Sequence, residues 1–457
     1  MSFVKRFQNS LESLYSLPED ASYVVAYSGG VDSHVLLYCC KQLNLPVRAV
    51  HVHHGLQRVA DDWVKHCQAI CDALDTRLDV LYVDAQAALG QSPEEAARSA
   101  RYSALMDNLT DADCLLTAQH LNDQAETLLL QLFRTAGTAG LSAMPASRQF
   151  GDHLHLRPLL PFSREEIEAF AKANDLHWIE DPSNDDIQFD RNFIRKNLVP
   201  MLEERWPEIT GQLSTVASLQ SKNLRVLEDM AAIDLASAIT TPVPQSKTRV
   251  YDVLSVLSIS ALKKLGSARL LNVLRYWILK TTKDYATKTS PTRNLLEEIE
   301  NALINSQSDA NPVIAFAGFE FRKYQDNLYL LKLTVDNNFK KELINDVDWN
   351  ATLPLTLSSL NIRLKAVKTA GKGLKQSLLE EPLKICFRIG GEKFHPAERQ
   401  HSQSLKKLLQ EANVPPWERD VIPLLYFEDE LIAVIGLWVC KKYAVNENGW
   451  IVDIEKL

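Results

Sequence analysis

The segment Ser28-Gly29-Gly30-Val31-Asp32-Ser33 sets two glycines, two hydroxyls and one carboxylate between an apolar run, SYVVAY at 22–27, and a stretch with helical spacing at Val35, Leu36, Cys39 and Leu43. Glycines let a backbone approach an anion closely, and hydroxyls together with the N–H groups that open a helix bind phosphate oxygens. Asp32 is the residue that a bare anion nest does not need. A carboxylate beside phosphates is unfavourable unless a cation bridges them, which implies a divalent ion, Mg²⁺, on the phosphates of a nucleotide. The string lacks the lysine of the Walker A loop, so γ-phosphate transfer of that type is not indicated. The plainer reading of the same residues is a tight turn capping a helix.

A second constellation lies in AQHLNDQAETLLLQLFRTAGTAGLSAM, residues 118–144. On a helix, Asp123 and Glu126 fall three apart on one face with Thr127 beside them, while Leu128, Leu129, Leu132 and Phe133 supply the buried side. Two such carboxylates can share a metal or orient an amine nucleophile. They can equally be a solvated helix start, where the dipole favours acids.

The elements that must carry these residues alternate. Strands are expected at 22–27, 46–52, 78–83 and 113–118, and helices at 32–43, 61–74, 94–108 and 122–134, with Pro93 opening the third helix. Short apolar strands joined by helices imply an α/β fold with a doubly wound parallel sheet at the N-terminus. Ser163 and Glu166 form a capping box for a further helix at 164–174. After about residue 195 long helical stretches take over, at 208–238, 259–280 and 291–305, divided by the polar break TTPVPQSKT at 240–248. This reads as a helical middle domain, closed by a hairpin at 319–333 that turns around Gln325, Asp326 and Asn327. Beyond a polar stretch, 335–350, a strand at 383–389, a helix at 402–412 and a hairpin at 423–439 make a small α+β C-terminal domain. The expected domains are 1–207, 208–340 and 350–457.

Composition bounds the class. A chain of 457 residues that is 46% hydrophobic and 24% charged can fold as several globular domains and is not disordered. The longest near-apolar run, LIAVIGLWVC at 431–440, is half of what a membrane span needs, and the N-terminus opens with charge, so no membrane role is expected. Seven cysteines, an odd number without any CxxC pair, argue against a disulfide framework and for a reducing, cytoplasmic setting. Most of them fall on apolar faces and read as small core residues. Residues 1–190 hold 14 Lys+Arg against 27 Asp+Glu, whereas residues 361–410 hold 11 against 4. That basic C-terminal stretch can meet a polyanion or can be solvated surface.

The hexamer 28–33 resembles the PP-loop of the ATP pyrophosphatases, which adenylate a substrate oxygen and release pyrophosphate. Residues 118–144 resemble the HxxDDQxET segment and glycine-rich turn of the tRNA(Ile)-lysidine synthase family. HVHHGLQ at 51–57, EEAARSARY at 94–102, RPLL at 157–160, EDPSN at 180–184, RNFIR at 191–195 and RIGGEKFHPAERQHSQSLKKLLQEANVPPWERDVIPLLY at 388–426 agree with it. The resemblance covers residues 20–200 densely and the last 75 well. It implies a Rossmann-like PP-loop ATPase domain and the cofactors ATP and Mg²⁺. The partners it implies are L-lysine and an isoleucine tRNA with a CAU anticodon, with a homodimer as a further possibility. The implied reaction adenylates the C2 oxygen of the first anticodon cytidine, after which the ε-amine of lysine attacks C2, expels AMP and changes the tRNA from methionine to isoleucine identity.

Carried over by residue, Ser28, Gly29, Gly30, Val31, Asp32 and Ser33 bind the ATP phosphates and Asp32 helps to hold Mg²⁺. Asp32, Asp123, Glu126 and Arg101 are the implied catalytic set, with Arg101 steadying charge on the α-phosphate and Arg98 as the alternative. His120 is a helix cap, a packing group or a catalytic residue, and His51, His53 and His54 read as structural or adenosine-contacting instead of metal ligands. Lys406, Lys407 and Arg388, with Lys393, Arg399 and Arg419, are the implied tRNA phosphate contacts, and Trp417 packs a corner. Three positions depart from the family pattern: Asn122 stands where Asp is commonest, His53 replaces a frequent Asn, and Thr135 replaces a Gly, which strains the turn if φ is positive there. Two other enzyme readings stay in play, a PP-loop synthetase for a small metabolite and a tRNA thiolase, the latter disfavoured by the absent cysteine pair. A non-catalytic ATP-gated RNA binder is the third alternative, and the intact acids argue against it.

Overall fold

The computed structural model describes residues 1–15, 21–53, 55, 60–84, 93–181, 186–241, 250–285, 290–306, 312–334 and 346–457. His54, the side chains of Glu94 and Glu95, residues 182–184 of EDPSN, most of the 240–248 break and most of the polar stretch 335–350 lie outside the described residues or side chains. Two compact units divide the chain, Met1–Val226 and Leu227–Leu457. Among the described residues no helix is long and apolar enough to cross a membrane.

Unit 1 is built on a six-stranded sheet. The strands are β1 (Ser22–Ala26), β2 (Val47–His53), β3 (Leu78–Tyr82), β4 (Asp113–Leu116), β5 (Ser147–Phe150) and β6 (His153–Leu156), in the order β3-β2-β1-β4-β6-β5. All pairings are parallel except β5 with β6. The helices are α1 (Phe3–Leu14), α2 (Val31–Gln42), α3 (Ala60–Ala73), α4 (Pro93–Asn108), α5 (Leu121–Phe133), α6 (Thr138–Leu141) and α7 (Arg164–Ala173). A helical run then follows, α8 (Asp190–Phe193), a π-helical turn (Ile194–Leu198) and α9 (Val199–Arg205), before α10 (Ile209–Ala238). Every strand and helix expected up to residue 174 is present within two residues of its expected ends. The structure adds α1, the short α6 and the β5–β6 hairpin, so the parallel sheet ends in one antiparallel edge strand.

Both faces of the sheet are buried, which is why its strands read as continuous apolar runs. Val25 of β1, Leu116 of β4, Val35 and Leu36 of α2 and Cys39, Cys67 and Cys71 share one core. Val24, Val50, Leu105 and Leu115 share the other. The chain leaves β1 toward β2 and β3 on one side and returns to β4 on the other, so β1 and β4 flank the point where strand order reverses. In open α/β sheets the crevice at the carboxyl ends of such strands is where ligands bind.

Unit 2 holds the helices α11 (Ile259–Leu262), α12 (Ser267–Thr282) and α13 (Arg293–Glu298), joined by the antiparallel sheet β7-β10-β9-β8. Its strands are β7 (Tyr251–Ser258), β8 (Val313–Phe316), β9 (Phe319–Tyr324) and β10 (Asn327–Leu333). The middle part is therefore helical and β-stranded together, with Trp277 buried against Phe321. The C-terminal part consists of antiparallel sheets, including strands Leu383–Cys386, Leu424–Phe427 and Glu430–Val434, with α-helices at Leu405–Glu411 and Pro416–Arg419. Trp417 packs edge-on against Tyr324 and Tyr329, the corner role expected of it.

Candidate functional site

The loop from β1 to α2 is held in shape by its own hydroxyls. Ser33 Oγ accepts from the Ser28 N–H at 3.2 Å, lies 3.1 Å from Ser28 Oγ and donates to the Gly30 carbonyl at 3.0 Å. Gly29 has φ +85°, and a Cβ there would sit 2.8 Å from Ile179 Cδ1 and 3.0 Å from Cys67 Sγ, so only glycine fits. Gly30 is the N-cap of α2 and offers no side-chain cap, which leaves the first-turn N–H groups for an anion. Asp32, in that first turn, hydrogen-bonds through Oδ2 to Arg164 Nη1 at 2.6 Å. Its Oδ1 is buried without a hydrogen-bond partner, 3.8 Å from His120 Nε2. Burial raises the Asp32 pKa, against the lowering influence of His120 and Arg164.

Across a cleft of about 1050 Å³ from this loop lies α5. Asp123 accepts from the His120 N–H at 3.0 Å, and His120, itself buried, stands 3.5 Å from the Asp123 carboxylate. Glu126 is 2% exposed. It accepts from Arg191 Nε at 2.8 Å, Arg195 Nε at 2.6 Å and Arg195 Nη2 at 3.0 Å. Asp123 Oδ1 accepts from Arg191 Nη2 at 3.0 Å and Arg195 Nη2 at 3.2 Å. Burial alone would raise the Asp123 pKa, but His120, Arg191 and Arg195 overcome it and hold it low. The same carboxylates raise the pKa of both arginines despite their burial.

Arg191 lies in α8 and Arg195 in the π-helical turn that follows it, just ahead of Pro200. Proline has no N–H to give, and the Val199 N–H donates five residues back, to the Ile194 carbonyl. The acidic pair is thus tied up by guanidiniums. Among the described residues no group of three or more His, Cys, Asp or Glu side chains could hold a metal ion. An ion carried mainly by nucleotide phosphates needs only one or two protein carboxylates, and the unpartnered Asp32 Oδ1 fits that demand.

The remaining expected residues divide. Arg101 lines the same cleft, as do His51, His53 and His120. His51 is buried, its Nδ1 2.9 Å from the Tyr27 carbonyl, a structural bond. His53 lies against Tyr82 at 4.9 Å. Asn122 accepts from the Arg164 N–H at 2.9 Å, so its departure from Asp keeps an oxygen at the start of α7, whose Ser163–Glu166 capping box is present. Thr135 has φ +54°, the strained geometry expected if glycine is wanted there. In unit 2, Lys406 and Lys407 are exposed on one helix, whereas Arg388 is half-buried and bonded to Asp420 at 3.2 Å. Arg164, Arg191 and Arg195 were not singled out as site residues by sequence reasoning. The signal was the i,i+4 arginine pair within RNFIR, which puts two cations on one helix face.

Three family models match the chain. A PP-loop domain covers residues 3–202, a TilS substrate binding domain residues 257–329 and a TilS substrate C-terminal domain residues 383–455. The chain is 36% identical over 451 residues to a tRNA(Ile)-lysidine synthase of Coxiella burnetii, spanning 97% of this chain and 96% of that protein. It is 39% identical over 442 residues to the Methylococcus capsulatus protein of the same name, spanning 95% and 96%. Among solved structures, a U34-tRNA thiolase from Methanococcus maripaludis matches 48% of this chain and 78% of its own, at 14% identity and a TM-score of 0.41.

Proposed function

This chain belongs to the tRNA(Ile)-lysidine synthase family, an ATP-dependent ligase, and from that premise we propose how its residues divide the work. The observation that carries the reading is one cleft with a phosphate-ready helix start on one wall and an acid–arginine cluster on the other. In this reading Ser28, Gly29, Gly30, Val31, Asp32 and Ser33 seat the ATP phosphates. Asp32, whose Oδ1 has no hydrogen-bond partner, would help to hold Mg²⁺ beside the phosphates, and the ion would supply charge neutralisation for pyrophosphate leaving.

The tRNA cytidine presents its C2 oxygen to the α-phosphate, and Arg101, Arg191 and Arg195 face the negative charge that grows there. Asp123 and Glu126 keep Arg191 and Arg195 in place, then receive the lysine ammonium as those guanidiniums turn to phosphate. Adenylation makes the C2 oxygen a leaving group; the ε-ammonium gives up one proton to water, the resulting neutral amine forms the C–N bond at C2, and the C2–O bond breaks to release AMP.

The working parts we propose are 1–207 for ATP chemistry, 208–340 as a middle domain and 350–457 for tRNA, in line with the three model matches. Lys406 and Lys407 contact tRNA phosphates, and Arg388, held by Asp420, orders the loop ahead of them. We place the enzyme in the cytoplasm and expect a homodimer, which sedimentation will read. A sulfur-transfer reading is disfavoured by the thiols, since burial pushes Cys39, Cys67, Cys71 and Cys114 up to about 12.

The test is transfer of radiolabelled lysine to a CAU-anticodon isoleucine tRNA transcript, with pyrophosphate release followed in parallel. Label should enter with the native protein and be lost with Asp32→Ala and Glu126→Ala. Pyrophosphate release that depends on tRNA without incorporation of label would move the nucleophile elsewhere.

A further inference from the structure

Unit 1 carries a second group of cations that this division of labour leaves unused. Arg98 of α4 and Arg148 of β5 lie against the ring of Tyr102, their guanidinium carbons 5.0 Å and 5.5 Å from its centroid. Beside them, on β6 and just after it, His155 is fully buried and Arg157 is 2% exposed. Arg148 Nε donates to His155 Nδ1 at 3.1 Å, and Arg157 Nη2 lies 3.4 Å from the same nitrogen. The other ring nitrogen meets Thr117 Oγ1 at 2.6 Å. Burial first, then the charges of Arg157, Arg148 and Arg98, push the His155 pKa down to about 2, so the imidazole stays neutral and serves as acceptor. Arg157 is anchored through Nη1 to the Pro145 carbonyl at 2.6 Å and through Nε to Gln119 Oε1 at 3.1 Å.

Among the described residues none of Arg98, Arg148 and Arg157 has a carboxylate partner. The whole Arg98 guanidinium and both Nη groups of Arg148 have no protein acceptor there either. Three guanidiniums around one buried imidazole, one of them withdrawn from water, repel one another, and an anion bound by the two that water reaches relieves that repulsion. Arg98 and Tyr102 also line the cleft that holds the phosphate loop, so the anion arrives at its rim. The nucleotide phosphates are assigned to a different junction, between β1 and α2. The remaining polyanion in the reaction is the RNA, whose reacting base cannot enter the cleft without bringing its flanking phosphodiesters to the rim.

We infer that Arg98 and Arg148, braced by Tyr102, His155 and Arg157, bind a backbone phosphate of the substrate RNA next to the reacting nucleotide. The inference rests on the tRNA ligase reading and adds a grip on RNA within unit 1. Tyr102 fixes the two forks by cation–π contact, and Arg157 contributes field from below without touching the ligand.

The experiment compares the full-length protein with Arg98→Gln, Arg148→Gln and Arg98→Lys, measuring affinity for the tRNA transcript at several salt concentrations. Each Gln variant should bind the RNA about 5- to 10-fold more weakly. The slope of log affinity against log salt should shallow by about 0.7 to 0.9, the share of one phosphate that the variant no longer neutralises. Arg98→Lys should keep most of the slope, and ATP affinity measured without RNA should stay within about 2-fold, since a tenfold change is about 1.4 kcal/mol. Unchanged RNA affinity and slope in both Gln variants would overturn the inference. So would weakened ATP binding with intact RNA binding, which would give the cluster to the nucleotide. Arg98 is exposed on α4, so Arg98→Gln decides the matter alone if removing the Arg148–His155 bond prevents folding. Failure of the ligase reading would appear separately, as absence of lysine incorporation by the native protein.

Discussion

Replacing Glu126 by Gln keeps the shape of the side chain and removes one charge from a cluster of four. The Glu126 carboxylate is 2% exposed and accepts three hydrogen bonds from Arg191 and Arg195. Breaking a buried ion pair from one side costs about 3–5 kcal/mol, because the surviving charge is left uncompensated. Here the arginine side chains are 26% and 39% exposed, and Asp123 still faces both, so water and the second carboxylate reduce the loss to about 2 kcal/mol. For a unit of this size that is a fall in Tm of about 4–8 °C, read by calorimetry. Lysine transfer should drop about 100-fold as the arginines lose their orientation. Arg195→Gln in the Glu126→Gln background should recover part of the stability, because removing both partners is milder than removing one. A variant that melts within about 1 °C of the native protein and turns over normally would refute the placement of these residues, as would strictly additive effects in the double variant.

Three further outcomes follow from other parts of unit 1. Asp113 is buried, but bonds from Ser22, Thr110 and Arg48 outweigh that burial and depress its pKa to about 2, below the ordinary 3.8. Its contribution, about 2 kcal/mol, is therefore complete above pH 4 and lost as pH falls through 2, so the Tm gap to Asp113→Asn should close over that interval. A gap that stays constant down to pH 2 would contradict it. Thr135→Gly should raise stability by about 0.5–1 kcal/mol, since relief at φ +54° exceeds the added entropy of an unfolded glycine, and a lowered melting point would count against the strain. Cys39, Cys40, Cys67, Cys71 and Cys114 should resist iodoacetamide at pH 8 in the native protein, and rapid labelling by mass spectrometry with loss of activity would reopen the thiolase reading.

What could be read from the chain depended on how local its cause was. The β1–α2 loop was legible because strand, glycines and helix are consecutive, and the Ser163–Glu166 box because both partners sit within one turn. The β5–β6 hairpin was not, since SRQF and HLHL are short, half polar and lie at a sheet edge. Strand β7 went unread because its pattern is only half-buried and its partner β10 begins some 70 residues later. The same limit hid the chemistry of the acids. Asp123 and Glu126 were visible as an i,i+3 pair, but the guanidiniums that occupy them come from 65 to 72 residues away, and nothing in local periodicity announces that meeting.

The sign of the field in the cleft is likewise not the sign of the sequence around it. Residues 1–190 are strongly acidic, which suits a site for cationic lysine, yet Arg98, Arg101, Arg164, Arg191 and Arg195 line the cleft. Fields at contact distance are set by the nearest charges, and the excess acids elsewhere are screened beyond about 10 Å. A lysine ammonium that needs Asp123 or Glu126 must therefore displace a guanidinium already there. Arg195→Gln removes that competitor, so lysine should bind about 3- to 10-fold more tightly, while turnover falls because the α-phosphate loses a cation. Steady-state kinetics at saturating ATP and tRNA separate the two effects, with KM for lysine and kcat moving down together. A KM for lysine that rises instead would mean that Arg195 helps to bind the amino acid, and the exchange of one cation for another at Glu126 would be wrong.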